Sequence, residues 1–177
     1  MKKLFVGLAL LLWGTSKLKD KGSTPQGSDN RSNDTKIPRS IRNNNPGNLK
    51  SVKTATSPNW KGTVGLDDHR PSPHVIFENY TYGTRAMILD VRNKIRAGLN
   101  TPGKILAKYC PASDGCNNAS YLTTIDKLAD IAQNQQLQYT NKEQMYRLLK
   151  AMTHHETGFD NPNFTKSVFN DAWGMIS

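Results

Sequence analysis

The feature of this sequence that most constrains its fold is a stripe of apolar residues with helical spacing between residues 141 and 157. Thr140 and Glu143 have the spacing of a capping box, in which a hydroxyl and a carboxylate accept hydrogen bonds from the free N–H groups at a helix start. A glycine follows the segment, as is common just past a helix end. The stripe and its terminator are Met145, Leu148, Leu149, Met152 and Gly158. The pattern predicts an amphipathic helix over 141–157 that packs against a core.

Glu156 interrupts this stripe, because it lies four residues after Met152, where another apolar side chain is expected. Burial against apolar groups raises the pKa of a carboxyl group, as a general acid working near neutral pH requires. The alternative is a solvated glutamate near the helix end, which is the more common setting for this residue type. However, a negative charge is unfavourable at that end of the helix dipole. Both interpretations remain open from the residues alone.

The rest of the chain predicts a mainly α domain of the α+β class, with a small β or irregular lobe. Further helices are predicted over 82–97, 101–109 and 120–132, and a last one after Pro162. Residues 75–77 predict a short strand and residues 60–68 a loop or hairpin. The cluster of asparagine, proline and glycine at 43–48 predicts tight turns.

The N-terminal residues have the features of an export signal. Two lysines precede an apolar run that ends at Trp13, and small residues follow it. The run is about half the roughly 20 residues that cross a bilayer, so residues 1–16 are predicted to be a signal peptide or a short membrane anchor. Residues 17–36 contain almost no apolar side chains and predict a disordered linker. The folded domain is then 37–177.

The net charge indicates which binding partners are plausible, and the cysteines indicate a local disulfide. The net charge of +10 favours a polyanion, such as nucleic acid, anionic lipid or an acidic cell-wall polymer. Export and the lack of a recognition motif argue against nucleic acid. Cys110 and Cys116 enclose a short loop, which in an exported protein favours a local disulfide over two free thiols. The histidines and cysteines form no metal-ligand pattern, so neither a metal nor a cofactor is expected.

Four short segments carry a resemblance to a known family. Residues 41–50 read IRNNNPGNLK, and residues 60–62, 77–80 and 82–86 read WKG, FENY and YGTRA. This resembles the IRNNNPGN…W.G…F…G.RA pattern of a family of phage virion and prophage proteins. Its members are regarded as structural proteins or as lytic, peptidoglycan-degrading enzymes with a lysozyme-like fold. The resemblance implies a lysozyme-like domain, associated with the virion or the host periplasm and acting on peptidoglycan.

A second resemblance bears on mechanism. Residues 151–159, AMTHHETGF, are similar to the end of the catalytic helix in lytic transglycosylases and related glucosaminidases. The similarity implies that Glu156 is the catalytic acid and base. In those glucosaminidases a segment similar to residues 45–50 and 77–80 follows the catalytic helix, whereas here it precedes it. We therefore hypothesise a circularly permuted order of lysozyme-like elements, which requires Glu156 to lie across a cleft from the 43–48 loop.

The resemblance also implies residues that bind substrate. The side-chain amides are candidates for binding acetamido groups, and three tyrosines are candidates for stacking on sugars or steadying Glu156. The alternatives are turn formation for the asparagines and core packing for the tyrosines. These candidates are Asn43, Asn44, Asn45, Asn48, Tyr80, Tyr82 and Tyr121.

A hydrolase of the usual kind needs a second carboxylate, about 5 Å or about 6.5–9.5 Å from the first. Glu78 is the foremost candidate, with Asp67, Asp68 and Asp114 as others. None of them stands out, which favours a lytic transglycosylase that uses one glutamate. A glucosaminidase- or muramidase-type hydrolase and a non-catalytic virion structural protein remain the alternatives.

Overall fold

The computed structural model describes residues 36–51, 60–69 and 72–176. The predicted signal or anchor at 1–16 lies outside these residues, as does the predicted linker at 17–36 except for its last residue. The described chain is mainly helical with a small antiparallel sheet, so the predicted α+β class is confirmed. Within this part of the chain, no helix combines the length and apolar character needed to cross a membrane.

The described residues form six α-helices and one hairpin. The elements are α1 (Arg39–Arg42), β1 (Thr63–Leu66), β2 (Val75–Phe77), α2 (Tyr80–Arg96), α3 (Pro102–Tyr109), α4 (Asn118–Ala129), α5 (Lys142–Thr157) and α6 (Lys166–Gly174). A short 3₁₀ turn, Ala112–Asp114, lies between α3 and α4. Strand β1 pairs with β2, with Thr63 opposite Phe77 and Leu66 opposite Val75.

Local backbone and side-chain interactions set three helix ends, of which one matches the prediction and two differ from it. Helix α2 begins two residues before the predicted position, because the Asn79 side chain accepts a hydrogen bond from the Tyr82 N–H and caps the helix. Helix α3 begins after Thr101, the predicted N-cap. Helix α4 ends at Ala129 rather than residue 132, because Asp130 has a left-handed backbone with φ 52°.

The predicted capping box of α5 was wrong by one residue. Asn141 is the N-cap, and its Oδ1 accepts a hydrogen bond from the Gln144 N–H at 3.0 Å. Asparagine is a stronger N-cap than the adjacent threonine. Glu143 instead pairs with Lys166 at the start of α6. The predicted end is correct, since Gly158 adopts φ 81° directly after the helix.

The main core lies where α4 packs along α5 and α6 packs along α2. Every apolar residue of the predicted α5 stripe is at most 1% exposed. The predicted face of α2 is also buried, through Ile88, Val91 and Ile95. Phe164 and Phe169 from the C-terminal segment pack into the same core. Burial of these apolar side chains is the main source of stability for the helices.

A smaller apolar cluster joins the hairpin to α2 and contains Leu49, Val75, Phe77 and Ala86. The 43–48 loop lies directly against α2 at Gly83. A Cβ on this glycine would lie 1.8 Å from the backbone oxygen of Asn44, so any other residue would push the loop away. The glycine of the YGTRA segment therefore fixes the position of the asparagine-rich loop.

Candidate active site

A cleft of about 660 Å³ lies between the 43–48 loop, the hairpin, the end of α3 and the C-terminal end of α5. This volume is within the usual range for ligand-binding pockets. Its lining combines apolar, cationic and hydrogen-bonding side chains. Among them are Asn48, Lys50, Trp60, His74, Tyr109 and Glu156.

Glu156 lies partly buried in the last turn of α5, with a hydrogen-bond donor on each carboxylate oxygen. The Tyr121 hydroxyl donates to Oε1 at 2.9 Å. The Asn48 Nδ2 amide donates to Oε2 at 2.8 Å. Tyr121 comes from α4 and Asn48 from the asparagine-rich loop, so three separate segments meet at this carboxylate. The permutation hypothesis required this loop and Glu156 to lie close together, and they are in direct contact.

Burial raises the pKa of Glu156 above its usual value, although the hydrogen bonds from Asn48 and Tyr121 and the charge of Lys50 favour the ionised form. The carboxyl group therefore retains its proton to higher pH than an exposed glutamate does. Burial, and then the nearby Glu156 charge, raise the pKa of Tyr121 well above its usual value. Tyr121 thus stays protonated and remains a donor at neutral pH. The arrangement suits a group that first gives up a proton and is then stabilised as an anion.

Asn48 has two unusual features. Its backbone is left-handed, with φ 45°, a conformation that asparagine tolerates better than most residues. Its Oδ1 is buried and has no hydrogen-bond partner among the described residues. Local strain and an unsatisfied polar atom both cost stability, and such features concentrate at functional sites. Of the four candidate asparagines, Asn48 is the one that contacts the glutamate.

The other three candidate asparagines lie outside the cleft lining and bind the protein itself. Asn43 donates to the Asp67 carboxylate at 2.9 Å. Asn44 donates to the Phe77 carbonyl at 3.0 Å, and Asn45 donates to the carbonyls of Leu49 and Val75. These contacts favour the turn-forming alternative over sugar binding for all three. They tie the loop to the hairpin and so hold Asn48 in place.

The three candidate tyrosines have different environments. Only Tyr121 contacts Glu156, and it is 1% exposed, so it steadies the carboxylate rather than stacking on a sugar. Tyr80 is buried in the main core, and its hydroxyl accepts a hydrogen bond from the Asn161 amide at 2.6 Å. The ring of Tyr82 packs against Gly62. Neither Tyr80 nor Tyr82 lines the cleft.

The sequence reasoning missed Tyr109. It lines the cleft at the end of α3, and its hydroxyl donates to the carbonyl of Gly47, the residue before Asn48. A Cβ on Gly47 would lie 2.4 Å from that hydroxyl, so the glycine makes the contact possible. The position directly before the first cysteine was a signal that Tyr109 borders a constrained loop.

Cys110 and Cys116 form a disulfide, with Cα atoms 5.6 Å apart, and both cysteines line the cleft. The loop between them carries Asp114, whose carboxylate bonds to Lys50 Nζ at 2.8 Å. This ion pair links the disulfide loop to the end of the asparagine-rich segment. The disulfide thus shapes one wall of the cleft.

The candidate second carboxylates lie in varied settings. Glu78 and Asp68 are exposed and do not line the cleft. Burial alone would raise the pKa of Asp67, but hydrogen bonds from the His74 N–H, the Asn43 amide and the His69 N–H lower it, so this buried carboxylate stays ionised. Asp114 is the candidate that reaches the cleft, and it is paired with Lys50.

At the hairpin end of the cleft, His74 is 3% exposed. Burial, reinforced by the charge of Arg39, lowers the pKa of His74 to about 4. The imidazole is therefore neutral at pH 7. Among the residues that the structure describes, no group of three or more histidine, cysteine, aspartate or glutamate side chains is placed to hold a metal ion.

In comparisons with known proteins, no family profile and no curated protein matches this chain. The resemblances of residues 41–50 and 151–159 therefore stay predictions from short sequence patterns. Function is inferred below from the chemistry of the cleft.

Proposed function

We propose that this protein cleaves the glycan strands of peptidoglycan between N-acetylmuramic acid and N-acetylglucosamine, with Glu156 as its single acid and base. The observation that carries the proposal is the setting of Glu156 in the cleft. Its pKa is raised by burial, and its two oxygens accept hydrogen bonds from Asn48 and Tyr121. The fold expected for such an enzyme is lysozyme-like with permuted elements, which agrees with the contact between the 43–48 loop and α5.

In the first step, protonated Glu156 donates its proton to the glycosidic oxygen as the bond from that oxygen to the muramyl C1 breaks. Positive charge develops on the sugar, and the leaving N-acetylglucosamine hydroxyl departs neutral. The raised pKa favours the protonated form of Glu156, which this step requires. Glu156 is left as an anion next to the developing positive charge.

In the second step, the carboxylate accepts the proton of the muramyl C6 hydroxyl, whose oxygen bonds to C1 and closes a 1,6-anhydro ring. The two hydrogen bonds from Asn48 and Tyr121 stabilise the carboxylate between the steps. Proton return to Glu156 restores the enzyme. If water takes the place of the C6 hydroxyl, the same residue catalyses hydrolysis.

The charge pairs in the cleft favour the single-acid reaction. Among the described residues that line it, the other carboxylates are Asp90 and Asp114. Asp90 bonds to Lys94 at 2.6 Å, and Asp114 bonds to Lys50 at 2.8 Å. A carboxylate that is bonded to a lysine has fewer oxygen lone pairs available for a substrate than a free one. We therefore prefer a lytic transglycosylase to a glucosaminidase- or muramidase-type hydrolase.

The cleft also offers groups that suit a glycan. Trp60 lies half-buried in its wall, and an indole face is a common platform for a sugar ring. The proposed setting is outside the cytoplasm, in the host periplasm or in a phage particle, where residues 1–16 act as a signal or anchor for the membrane or virion. We propose no nucleic-acid partner.

Zymography on purified peptidoglycan, with the wild type and Glu156→Gln, tests the enzyme. Clearing by the wild type and none by the variant is the expected result. Mass spectrometry of the released muropeptides then separates anhydro products, which we expect, from reducing products of a hydrolase. Equal behaviour of both proteins, with neither clearing the gel, would favour a non-catalytic virion protein.

A further inference from the structure

The side of α2 that faces away from the cleft carries two arginines that form no ion pair with a carboxylate of the described residues. Asp90 and Lys94 line the cleft from this helix. Arg92 and Arg96 each follow one of them by two residues, which places them roughly 200° around the helix. Lys94 is bonded to Asp90 at 2.6 Å, whereas neither arginine forms an ion pair with any described carboxylate. Among the described residues, one side of this helix therefore has a paired cation, and the other side has two cations without an ion pair.

The two guanidinium groups are held in place by aromatic rings. Arg96 lies 4.6 Å from the centroid of the Tyr139 ring, and Arg92 lies 5.6 Å from it. Arg92 also lies 5.2 Å from the centroid of the Trp173 ring. Stacking of this kind fixes a guanidinium before any ligand arrives, which lowers the entropy cost of binding. Arg92 is part of the packing between α2 and α6, but Arg96 is exposed.

Arg96 borders a groove of about 490 Å³ on this side of the molecule. The residues that line it include Asn100 and Thr140, which have polar side chains, and Ile95 and Leu137, which have apolar ones. None of these residues lines the cleft that holds Glu156. A guanidinium donates hydrogen bonds to carboxylate oxygens, whereas a side-chain amide and a hydroxyl both donate to and accept from peptide groups. This set of residues therefore matches a carboxylate that is attached to a peptide.

We propose that this groove is an accessory site for the free carboxylates of peptidoglycan stem peptides, which it takes from a strand other than the one being cleaved. The identity of the polymer rests on the proposed function, whereas the preference for a carboxylate rests on Arg96, which lines the groove and forms no ion pair with a described carboxylate. The site on the far side of α2 would keep the protein on the wall while the cleft releases its product. Such a second contact raises the effective concentration of substrate.

The test measures binding of the full chain to insoluble peptidoglycan by co-sedimentation, in the Glu156→Gln background so that nothing is cleaved. Arg96→Gln removes the exposed charge, and Lys127→Gln is the matched control, because it removes one exposed cation from α4 outside both the groove and the cleft. We expect Arg96→Gln to weaken binding about fivefold, as for one well-placed exposed charge pair, and the control to change it by less than about twofold. Circular dichroism checks that both variants fold.

Two further arms identify the ligand. Peptidoglycan from which an amidase has removed the stems should bind the Arg96→Gln and Lys127→Gln proteins equally. Short duplex DNA should displace the protein from intact peptidoglycan no better than an equal charge of polyglutamate. Equal weakening by both variants, an Arg96 effect that survives removal of the stems, or preferential displacement by DNA would each overturn the proposal.

This outcome is independent of catalysis. A protein that binds stems through Arg96 but clears no zymogram would keep the accessory site and lose the proposed enzyme. A protein that clears the zymogram while Arg96→Gln binds normally would do the reverse.

Discussion

Replacing Glu156 by glutamine tests the proposed catalytic acid through both stability and activity. The structure predicts that activity falls, whereas stability relative to the wild type increases with pH. The glutamine keeps the shape of the side chain. Its Oε1 accepts from the Asn48 amide, and its NH₂ donates to the Tyr121 hydroxyl, which serves as donor or acceptor. Both hydrogen bonds are kept, but the side chain no longer has an acidic proton to donate. We expect activity to fall about 10²- to 10⁴-fold, the usual contribution of a general acid.

The effect on stability follows from the direction of the pKa shift. Burial raises the pKa of Glu156 in the folded protein above its value in the unfolded chain. The stability that the protonated group contributes is present below about pH 4 and is lost as the pH rises through the folded pKa. Glutamine does not ionise. Its free energy of unfolding relative to the wild type should therefore increase from pH 4 to pH 8.

Urea denaturation followed by circular dichroism at several pH values measures this difference. Glu143→Gln is the matched control, since Glu143 lies on the same helix but is exposed and paired with Lys166. Loss of that surface pair should cost at most about 1 kcal/mol and leave activity intact. If Glu156→Gln instead loses stability relative to the wild type as the pH rises, the carboxylate is a structural anion, and the acid mechanism has no basis.

Two other substitutions probe the groups that contact Glu156, and a third probes the buried carboxylate of Asp67. Tyr121→Phe removes one hydrogen bond to the Glu156 carboxylate, worth about 1.5–3 kcal/mol. Glu156 should then titrate at higher pH, and activity should fall roughly 10- to 100-fold. An unchanged pH–rate profile would contradict this. Asn48→Gly removes the other hydrogen-bond donor to Glu156, so activity should fall about as much. Glycine suits the left-handed backbone at this position, so the melting temperature should stay nearly constant. Full activity would exclude a role for Asn48. Asp67→Asn should destabilise the protein by roughly 1.5–3 kcal/mol at pH 7. That loss should shrink as the pH falls below about 4, because the lowered pKa makes the stabilisation from Asp67 disappear as the wild type is protonated; a pH-independent loss in urea unfolding would contradict the ionised assignment.

Periodicity predicted the helices and their buried faces well, because burial on one side of a helix repeats every three to four residues. The ends were less predictable. At α5, Thr140 and Asn141 are both good caps, and the choice depends on which of them meets the free N–H groups. At α4, no local signal indicated that Asp130 adopts a left-handed backbone.

Within the site, Glu156 was predictable because it interrupts an otherwise apolar stripe on its own helix. Its partners were not, because they come from distant parts of the chain. Asn48 lies 108 residues before Glu156, and neither its spacing nor its residue type separates it from Asn43, Asn44 and Asn45. Only packing against α2 and the hairpin turns three of these amides towards the protein and one towards the carboxylate.

The same packing bears on the choice between the proposed lyase and the alternative hydrolase, which composition alone left open. Fourteen carboxylates in the sequence offer many candidates for a second catalytic group. In the described cleft, however, Asp90 and Asp114 each lie at bonding distance from a lysine, while Glu156 has neutral donors on both oxygens. Neutral donors stabilise the anion less strongly than a bonded lysine does, and burial still raises the pKa of Glu156. A site with one such group favours a reaction in which the same residue gives and then takes the proton, as closure of an anhydro ring requires.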